Sequence, residues 1–134
     1  MISPLFLSQG QYDEILRHVA EHVPFEACGL LAGKEGKVEK VILVRNQAQS
    51  PTRYVMDPYE QLQAFEWIDS HGLDLIGIFH SHPAGPEMVS PTDIQEAAYD
   101  VVYVVCSRLD GMWKMSGFWI ENGQAQEVPL SIQR

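Results

Sequence analysis

The sequence predicts a mixed α/β or α+β domain, in which a central mixed β-sheet is flanked by helices, and three observations support this prediction. Two segments carry apolar residues at helical spacing directly after N-cap residues. Several short apolar runs lie between turns that contain glycine or asparagine, as β-strands do. The 134 residues suffice for one hydrophobic core but not for two, and no repeat or linker divides them, so we expect a single domain over residues 1–134.

The first part of the chain is expected to form a strand, a helix and a hairpin. Leu5–Leu7 is a short apolar run. Ser8 followed by Gln11 is a capping-box pattern, which predicts a helix from about Gln9 to His22. The runs "ACGLLAG" and "KVEKVILVRN" predict a β-hairpin, and "RYVM" at 53–56 predicts a further short strand after a loop.

The second part begins with a helix capped by Asp57, which has Pro58 at its first position and ends near His71. "DLIGIFHSH" is the next predicted strand, and Ser90–Asp93 opens a short third helix. The unbroken apolar run "VVYVVCS" predicts a central buried strand. "MWKMSGFWIE" and "QAQEVPL", joined by an Asn-Gly turn, close the chain, so the predicted order is β-α-β-β-β-α-β-α-β-β-β.

Charge and hydropathy exclude several functional classes. A net charge of -9 argues against nucleic acid and against an anionic membrane surface, because both are bound through Lys and Arg. No apolar run approaches the ~18 residues of a membrane span, and the N-terminus lacks a basic leader, so we expect a cytoplasmic protein. Its oligomeric state stays open between monomer and homodimer. Cys28 and Cys106 are predicted to be buried reduced thiols, with a disulfide or a nucleophilic role as the alternatives.

The stretch "GIFHSHPAGPEMVSPTDI" carries the main functional signal. Side chains two apart on a strand share a face, so His80 and His82 project together. The loop after Pro83 is long enough to bring Asp93 back as a third ligand of one metal ion, which leaves a fourth tetrahedral position for water. The same residues also fit a reading without metal, because Ser90 and Asp93 form a capping box. We expect one of these two geometries to dominate.

The pattern H-S-H-P followed by S-x-x-D resembles the motif of the JAMM (MPN-type) zinc metallopeptidases, H-x-H-P-x(5)-P-S-x-x-D. Val89 stands where the family usually has proline, and we expect it to leave the ligand set unchanged. The family's upstream glutamate matches Glu26 in "FEACGLLAG". The resemblance covers most of the chain, and the length is similar to that of the short free-standing prokaryotic members.

The resemblance implies a JAMM/MPN architecture of cytidine-deaminase-like type and one Zn²⁺ per chain, held by His80, His82 and Asp93. It implies that Glu26 is the general base and then acid, and that Ser90 donates to the oxyanion. The implied activity is hydrolysis of a peptide or isopeptide bond after the Gly-Gly tail of a ubiquitin-like or sulfur-carrier protein. Two alternatives remain: a hydrolase of small peptides or amides without a protein partner, and a non-catalytic MPN-type binding module.

Overall fold

The computed structural model describes residues 3–134. The first two residues of the N-terminus, for which we expect no leader peptide, lie outside this range. Within this range eight strands and three helices form one mixed sheet with flanking helices, which confirms the predicted fold class. The elements are β1 (Leu5–Ser8), α1 (Gln9–Glu21), β2 (Cys28–Lys34), β3 (Lys37–Val44), α2 (Pro58–Ser70), β4 (Asp74–His82), α3 (Pro91–Glu96), β5 (Val102–Leu109), β6 (Met112–Glu121), β7 (Gln124–Val128) and β8 (Leu130–Gln133). None of these three helices is long and apolar enough to cross a membrane.

The helix starts follow the capping residues in the sequence. The Ser8 hydroxyl accepts from the Gln11 N–H, and the Gln11 side chain accepts from the Ser8 N–H. The Asp57 carboxylate accepts from the N–H groups of Tyr59 and Glu60 at the start of α2. Both predicted helices are confirmed, because these side chains satisfy backbone donors that have no partner inside the helix.

The strand order is β7-β6-β5-β4-β2-β3-β1-β8. β4 runs parallel to β5, β1 runs parallel to β3 and β8, and the remaining pairs are antiparallel. β7 and β8 lie at opposite ends of this order although only Pro129 separates them in the chain. The sheet therefore curls until its two ends adjoin.

Hydrophobic clusters cover both faces of the sheet. α1 packs on one face through Ile15 and Val19, and α2 packs on the other through Ala64 and Ile68. β5 is buried between β4 and β6, as predicted for a central strand. The two cysteines lie in different clusters as free thiols, and burial raises the pKa of each to about 12. The prediction of buried reduced thiols is confirmed, and such protonated thiols are poor nucleophiles.

Two strand predictions were wrong. "RYVM" forms no regular strand: Met56 makes one isolated bridge with Asn46, and the Val55 carbonyl accepts from the Gln47 N–H. Pairing stops there because α2 begins at Pro58. The final strand, expected as one run, is divided at Pro129, which has no N–H for a ladder, and the second piece pairs with β1.

Gly29→Ala is expected to destabilise the fold by about 2–3 kcal/mol, because overpacking forces neighbouring groups to move. A Cβ at Gly29 would meet the Phe79 ring and would lie 2.6 Å from the Ile42 carbonyl oxygen. Urea unfolding measures the change. The control is Gly10→Ala in α1, where the nearest atom outside the helix backbone is 3.9 Å away and alanine favours the helix. Equal stability of the two variants would contradict this account of Gly29.

Candidate metal centre

Strand β4 brings the two predicted histidines to one face of the sheet. His80 and His82 are both buried at the C-terminal end of β4, between β2 and β5. Their Nε2 atoms lie 3.1 Å apart. The same-face prediction is confirmed, and the strand's alternation is its cause.

The loop after Pro83 returns the chain so that Asp93 joins these histidines. Val89, 4% exposed, packs in a small cluster with Val105 and Phe118 and anchors the end of this loop. The next residue caps α3 and leaves Asp93 in its first turn. Its Oδ2 lies 3.0 Å from His80 Nε2 and 3.2 Å from His82 Nε2. The three predicted ligand atoms therefore converge with valine at position 89.

Capping and clustering occur together at Asp93. Its Oδ2 accepts from the Ser90 N–H at 2.8 Å while it lies against both histidines. The Asp93 N–H donates in turn to the Ser90 hydroxyl at 3.0 Å. One carboxylate oxygen thus has room for the cap and for both histidines, and which geometry dominates when a metal ion is bound stays a prediction.

The atoms of the cluster fit a small divalent cation. His82 Nδ1 lies 2.9 Å from the Pro86 carbonyl oxygen and donates to it, so in the neutral ring Nε2 carries the lone pair that a metal ion needs. A positive charge, either a proton on His82 Nε2 or a metal ion, accounts for the approach of that atom to within 3.2 Å of Asp93 Oδ2. Metal bonds of ~2.0–2.1 Å in a tetrahedron place ligand atoms about 3.3–3.4 Å apart, close to the 3.0–3.2 Å seen here. The three residues are close enough to hold one metal ion.

The protonation tendencies of the cluster agree with this chemistry. Burial lowers the pKa of His80, and hydrogen bonding to Asp93 only partly opposes it. Burial also lowers the pKa of His82, but the bonds to Asp93 and Pro86 outweigh it and the net shift is upward. Burial raises the pKa of Asp93, yet hydrogen bonds from the two histidines hold it well below its usual range. Asp93 is thus anionic, and buried His80 favours its neutral form, as a metal ligand must.

Glu26 lies beside this cluster, immediately before β2. It is only 4% exposed, so it is not the solvated carboxylate that an isolated glutamate usually is. Burial raises its pKa to about 8; the positive charge on His82 opposes this, and the negative charge on Asp93 adds to it. A buried carboxyl with a raised pKa beside a metal-ligand cluster is typical of a general acid–base group.

Sequence reasoning missed two residues that build the site. Ser81 lies between the two histidines on the opposite face of β4, where its hydroxyl accepts from the Ala27 N–H at 2.8 Å and its N–H donates to the Ala27 carbonyl. Ser81 thereby fixes the residue that follows Glu26. Tyr54 stacks on the His80 ring with centroids 4.6 Å apart. Nothing local in the sequence signals either contact, because each joins distant segments.

An open cleft of about 240 Å³ begins at Asp93 and runs between the 52–56 segment and α3. Its walls are largely apolar, and the ion pair of Arg53 with Glu96, 3.7 Å apart, lies at its rim. The cleft is lined by Thr52, Arg53, Tyr54, Val55, Met56, Gln61, Ile78, Thr92, Asp93, Glu96, Ala97, Tyr99 and Tyr103. An extended peptide has space here directly beside the cluster.

The other histidines lie away from the cluster. His22 and His71 are exposed helix C-caps whose Nδ1 atoms contact the carbonyls four residues earlier. His18 is half-buried, with Nε2 3.1 Å from the Cys28 carbonyl oxygen and its ring against Phe79, because it lies on the α1 face that meets the sheet.

Comparison with known families agrees with the residue geometry. The family described as prokaryotic homologs of the JAB domain matches residues 8–120. The chain belongs to this prokaryotic JAB family. A probable TtuB-protein conjugate cleaving protease of Thermus thermophilus is 41% identical over 129 residues, which cover 96% of this chain and 82% of the relative. A desampylase of Pyrococcus furiosus is 34% identical over 134 residues, which cover 98% of this chain and 92% of the relative.

A solved structure of a Desulfitobacterium hafniense protein shares the fold of this JAB chain. Its TM-score is 0.86 at 32% sequence identity, with 97% of this chain and 93% of that chain covered. The named relatives are peptidases, so the recognition of a short prokaryotic JAMM-type hydrolase is confirmed.

We predict that the metal-free JAB chain takes up one divalent ion and that His82→Ala loses it. Removing one of three ligands deprives the ion of a third of its protein bonds, while the two-sided core keeps the fold. Isothermal titration with Zn²⁺ and elemental analysis check this. His71→Ala, at an exposed helix end, is the control. Unchanged stoichiometry in His82→Ala would refute the assignment.

The pKa of Glu26 predicts a pH-dependent stability of the metal-free protein. Its folded pKa of about 8 exceeds the ordinary value of 4.5, so the folded state loses stability as pH rises from 4.5 to 8. Glu26→Gln removes this loss, and its advantage over the native chain grows across that window to on the order of 2 kcal/mol. Urea unfolding at several pH values in a chelator measures it. Exposed Glu121→Gln is the control; a pH-independent effect of Glu26→Gln would contradict the prediction.

Proposed function

We propose that this chain is a zinc peptidase that cleaves the amide bond following the Gly-Gly tail of a small ubiquitin-like or sulfur-carrier protein. The observation that carries the proposal is the convergence of three ligand atoms within 3.2 Å beside the buried carboxyl of Glu26. A metal site with an adjacent acid–base group at the head of a cleft supports hydrolysis.

In the proposed site His80, His82 and Asp93 hold the zinc ion. Zinc at this position supplies Lewis-acid chemistry and an activated water at neutral pH. Glu26 takes a proton from the attacking water and delivers it to the leaving amine, first as base and then as acid. A positive charge on the cluster lowers the pKa of the neighbouring Glu26 carboxyl from its metal-free value and favours the basic form that starts the reaction.

Ser90 is proposed to stabilise the oxyanion that forms on the substrate carbonyl. Its Oγ accepts from the Asp93 N–H, which orients the hydroxyl and leaves its own proton to be donated elsewhere. A single donor of this kind contributes typically ~3–4 kcal/mol to the transition state.

The cleft supports an extended substrate. The carbonyl of Arg53 and both backbone groups of Val55 turn towards Asn46 and Gln47, so the backbone groups of Tyr54 between them face the other way. Residues 53–56 are thus the wall that we expect an extended tail to follow, although they form no regular strand. Glycine suits a narrow path to the metal because it has no Cβ.

Cleavage of small free amides is the second candidate function, and the open rim of the cleft favours it. The loop between Pro83 and Ser90 is short, and Asp93 of the cluster lines the open cleft. For the carrier substrate we propose modest affinity for its globular body, with a basic or neutral contact face that suits the net charge of -9. A cytoplasmic location and the choice between monomer and homodimer stay predictions.

A carrier protein ending in Gly-Gly, Gly-Ala or Ala-Ala, each joined to the same reporter peptide, tests the proposal. The zinc-loaded chain is expected to cleave the Gly-Gly adduct at least tenfold faster than the Ala-Ala adduct, with release measured by mass spectrometry. Equal cleavage rates for the three tails would contradict the proposal that the tail follows a narrow path to the metal. Faster cleavage of short free peptides would favour the small-amide hydrolase.

The matched control for this experiment is Glu26→Gln. It is expected to keep its zinc and to lose ~10²–10⁴-fold in rate, because the amide cannot accept a proton from water. Near-native turnover in this variant would exclude Glu26 as the base, whatever the tail preference.

A further inference from the structure

The carboxylate of Glu26 is held through its backbone alone. No hydrogen bond to its carboxylate oxygens is found within residues 3–134, although the residue is 4% exposed. Its N–H donates to the Ser50 carbonyl at 2.8 Å, and its carbonyl accepts from Asn46 Nδ2 at 2.9 Å. Both partners belong to the segment that follows β3, so this segment decides where the carboxylate lies.

Asn46 uses its whole side-chain amide in this segment. Besides its bond to Glu26, Nδ2 donates to the Arg53 carbonyl at 3.1 Å. Oδ1 accepts from the N–H groups of Ala48 at 3.0 Å and Val55 at 2.9 Å. Asn46 is 7% exposed, so two donated and two accepted bonds satisfy it away from water.

The residues that Asn46 holds also form one wall of the cleft. Arg53, Tyr54 and Val55 line the cleft, and Tyr54 stacks on the His80 ring. One amide thus joins the backbone of Glu26 to the surface that a substrate touches.

We propose that Asn46 is a positioning residue that makes this cleft wall and the Glu26 base one mechanical unit, so that a substrate seated against the wall sets the base in line. This inference rests on the proposed function. Asn46 touches neither substrate nor metal ligand, and it acts through Glu26 and the 53–55 backbone.

Only an amide of this length meets the four partners. Aspartate keeps the acceptor for Ala48 and Val55 but presents a second oxygen to the carbonyls of Glu26 and Arg53, where a donor is needed. The wall and the base then separate. A misplacement of about 1 Å in a reacting group costs roughly 10²-fold in rate.

Asn46→Asp in the zinc-loaded chain tests the inference on the Gly-Gly carrier adduct. We expect kcat to fall roughly 10²-fold and KM to rise several-fold while zinc content stays native. A merely structural role would lower the folded fraction, and with it zinc content and apparent kcat, at unchanged KM. Asn122→Asp is the matched control, since Asn122 is the chain's other asparagine and lies exposed in the β6–β7 turn. Native kcat and KM in Asn46→Asp would overturn the inference.

A double-mutant cycle separates this inference from the proposed function. In the Glu26→Gln background, Asn46→Asp is expected to change the residual rate less than twofold, because the base is already absent, yet still to weaken binding of the carrier, measured by fluorescence anisotropy. A further 10²-fold fall there would show that Asn46 acts independently of Glu26 and would overturn the inference. Failure of the native chain to cleave any adduct would instead refute the proposed function.

Folding is checked by thermal unfolding of each variant. If Asn46→Asp does not fold, Asn46→Ser replaces it, because the serine hydroxyl can keep one donated bond without a charge. Asn46→Ser is then expected to lower kcat and raise KM by smaller factors than Asn46→Asp. Native kcat and KM in Asn46→Ser would overturn the inference.

Discussion

The close approach of three electron-pair donors is the constraint on which the site depends. His82 Nε2 and Asp93 Oδ2 lie 3.2 Å apart, with His80 Nε2 as their third neighbour. Without a cation or a proton between them these atoms repel, so rigid elements must hold them together. The two histidines lie on β4, an interior strand of the sheet, and Asp93 is held by the capping box of α3. By holding these atoms close together, the fold favours the binding of a positive charge between them.

These three residues could be predicted because the rules that place them are local. Strand alternation puts His80 and His82 on one face, and a capping box puts Asp93 in the first turn of a helix. Asp93 lies only thirteen positions after His80, so the short segment between them needs only to fold back towards β4. The fold class, both long helices and the central strand were equally accessible, since each shows a period or a cap within its own segment.

The rest of the site depends on contacts between distant segments. The burial of Glu26 follows from the 46–56 segment and from Ser81, and neither contact leaves a local pattern. The same limit explains the two wrong strands. Residues 53–56 have strand-like composition but gain only one bridge, whereas β8 exists because Pro129 ends β7 and β1 offers an edge. Composition cannot say which partner a strand will find.

The energetics of Glu26 favour a catalytic site over a non-catalytic binding module. Burial raises the pKa of its carboxyl to about 8, so the metal-free fold is less stable at neutral pH than it would be with a neutral side chain there. Its carboxylate makes no hydrogen bond within residues 3–134 that would offset this cost, while its backbone is held from both sides. A scaffold gains nothing from a buried carboxyl whose raised pKa makes the fold less stable at neutral pH. A hydrolase does, because an acid–base group must be close to the reacting atoms and still free to exchange its proton.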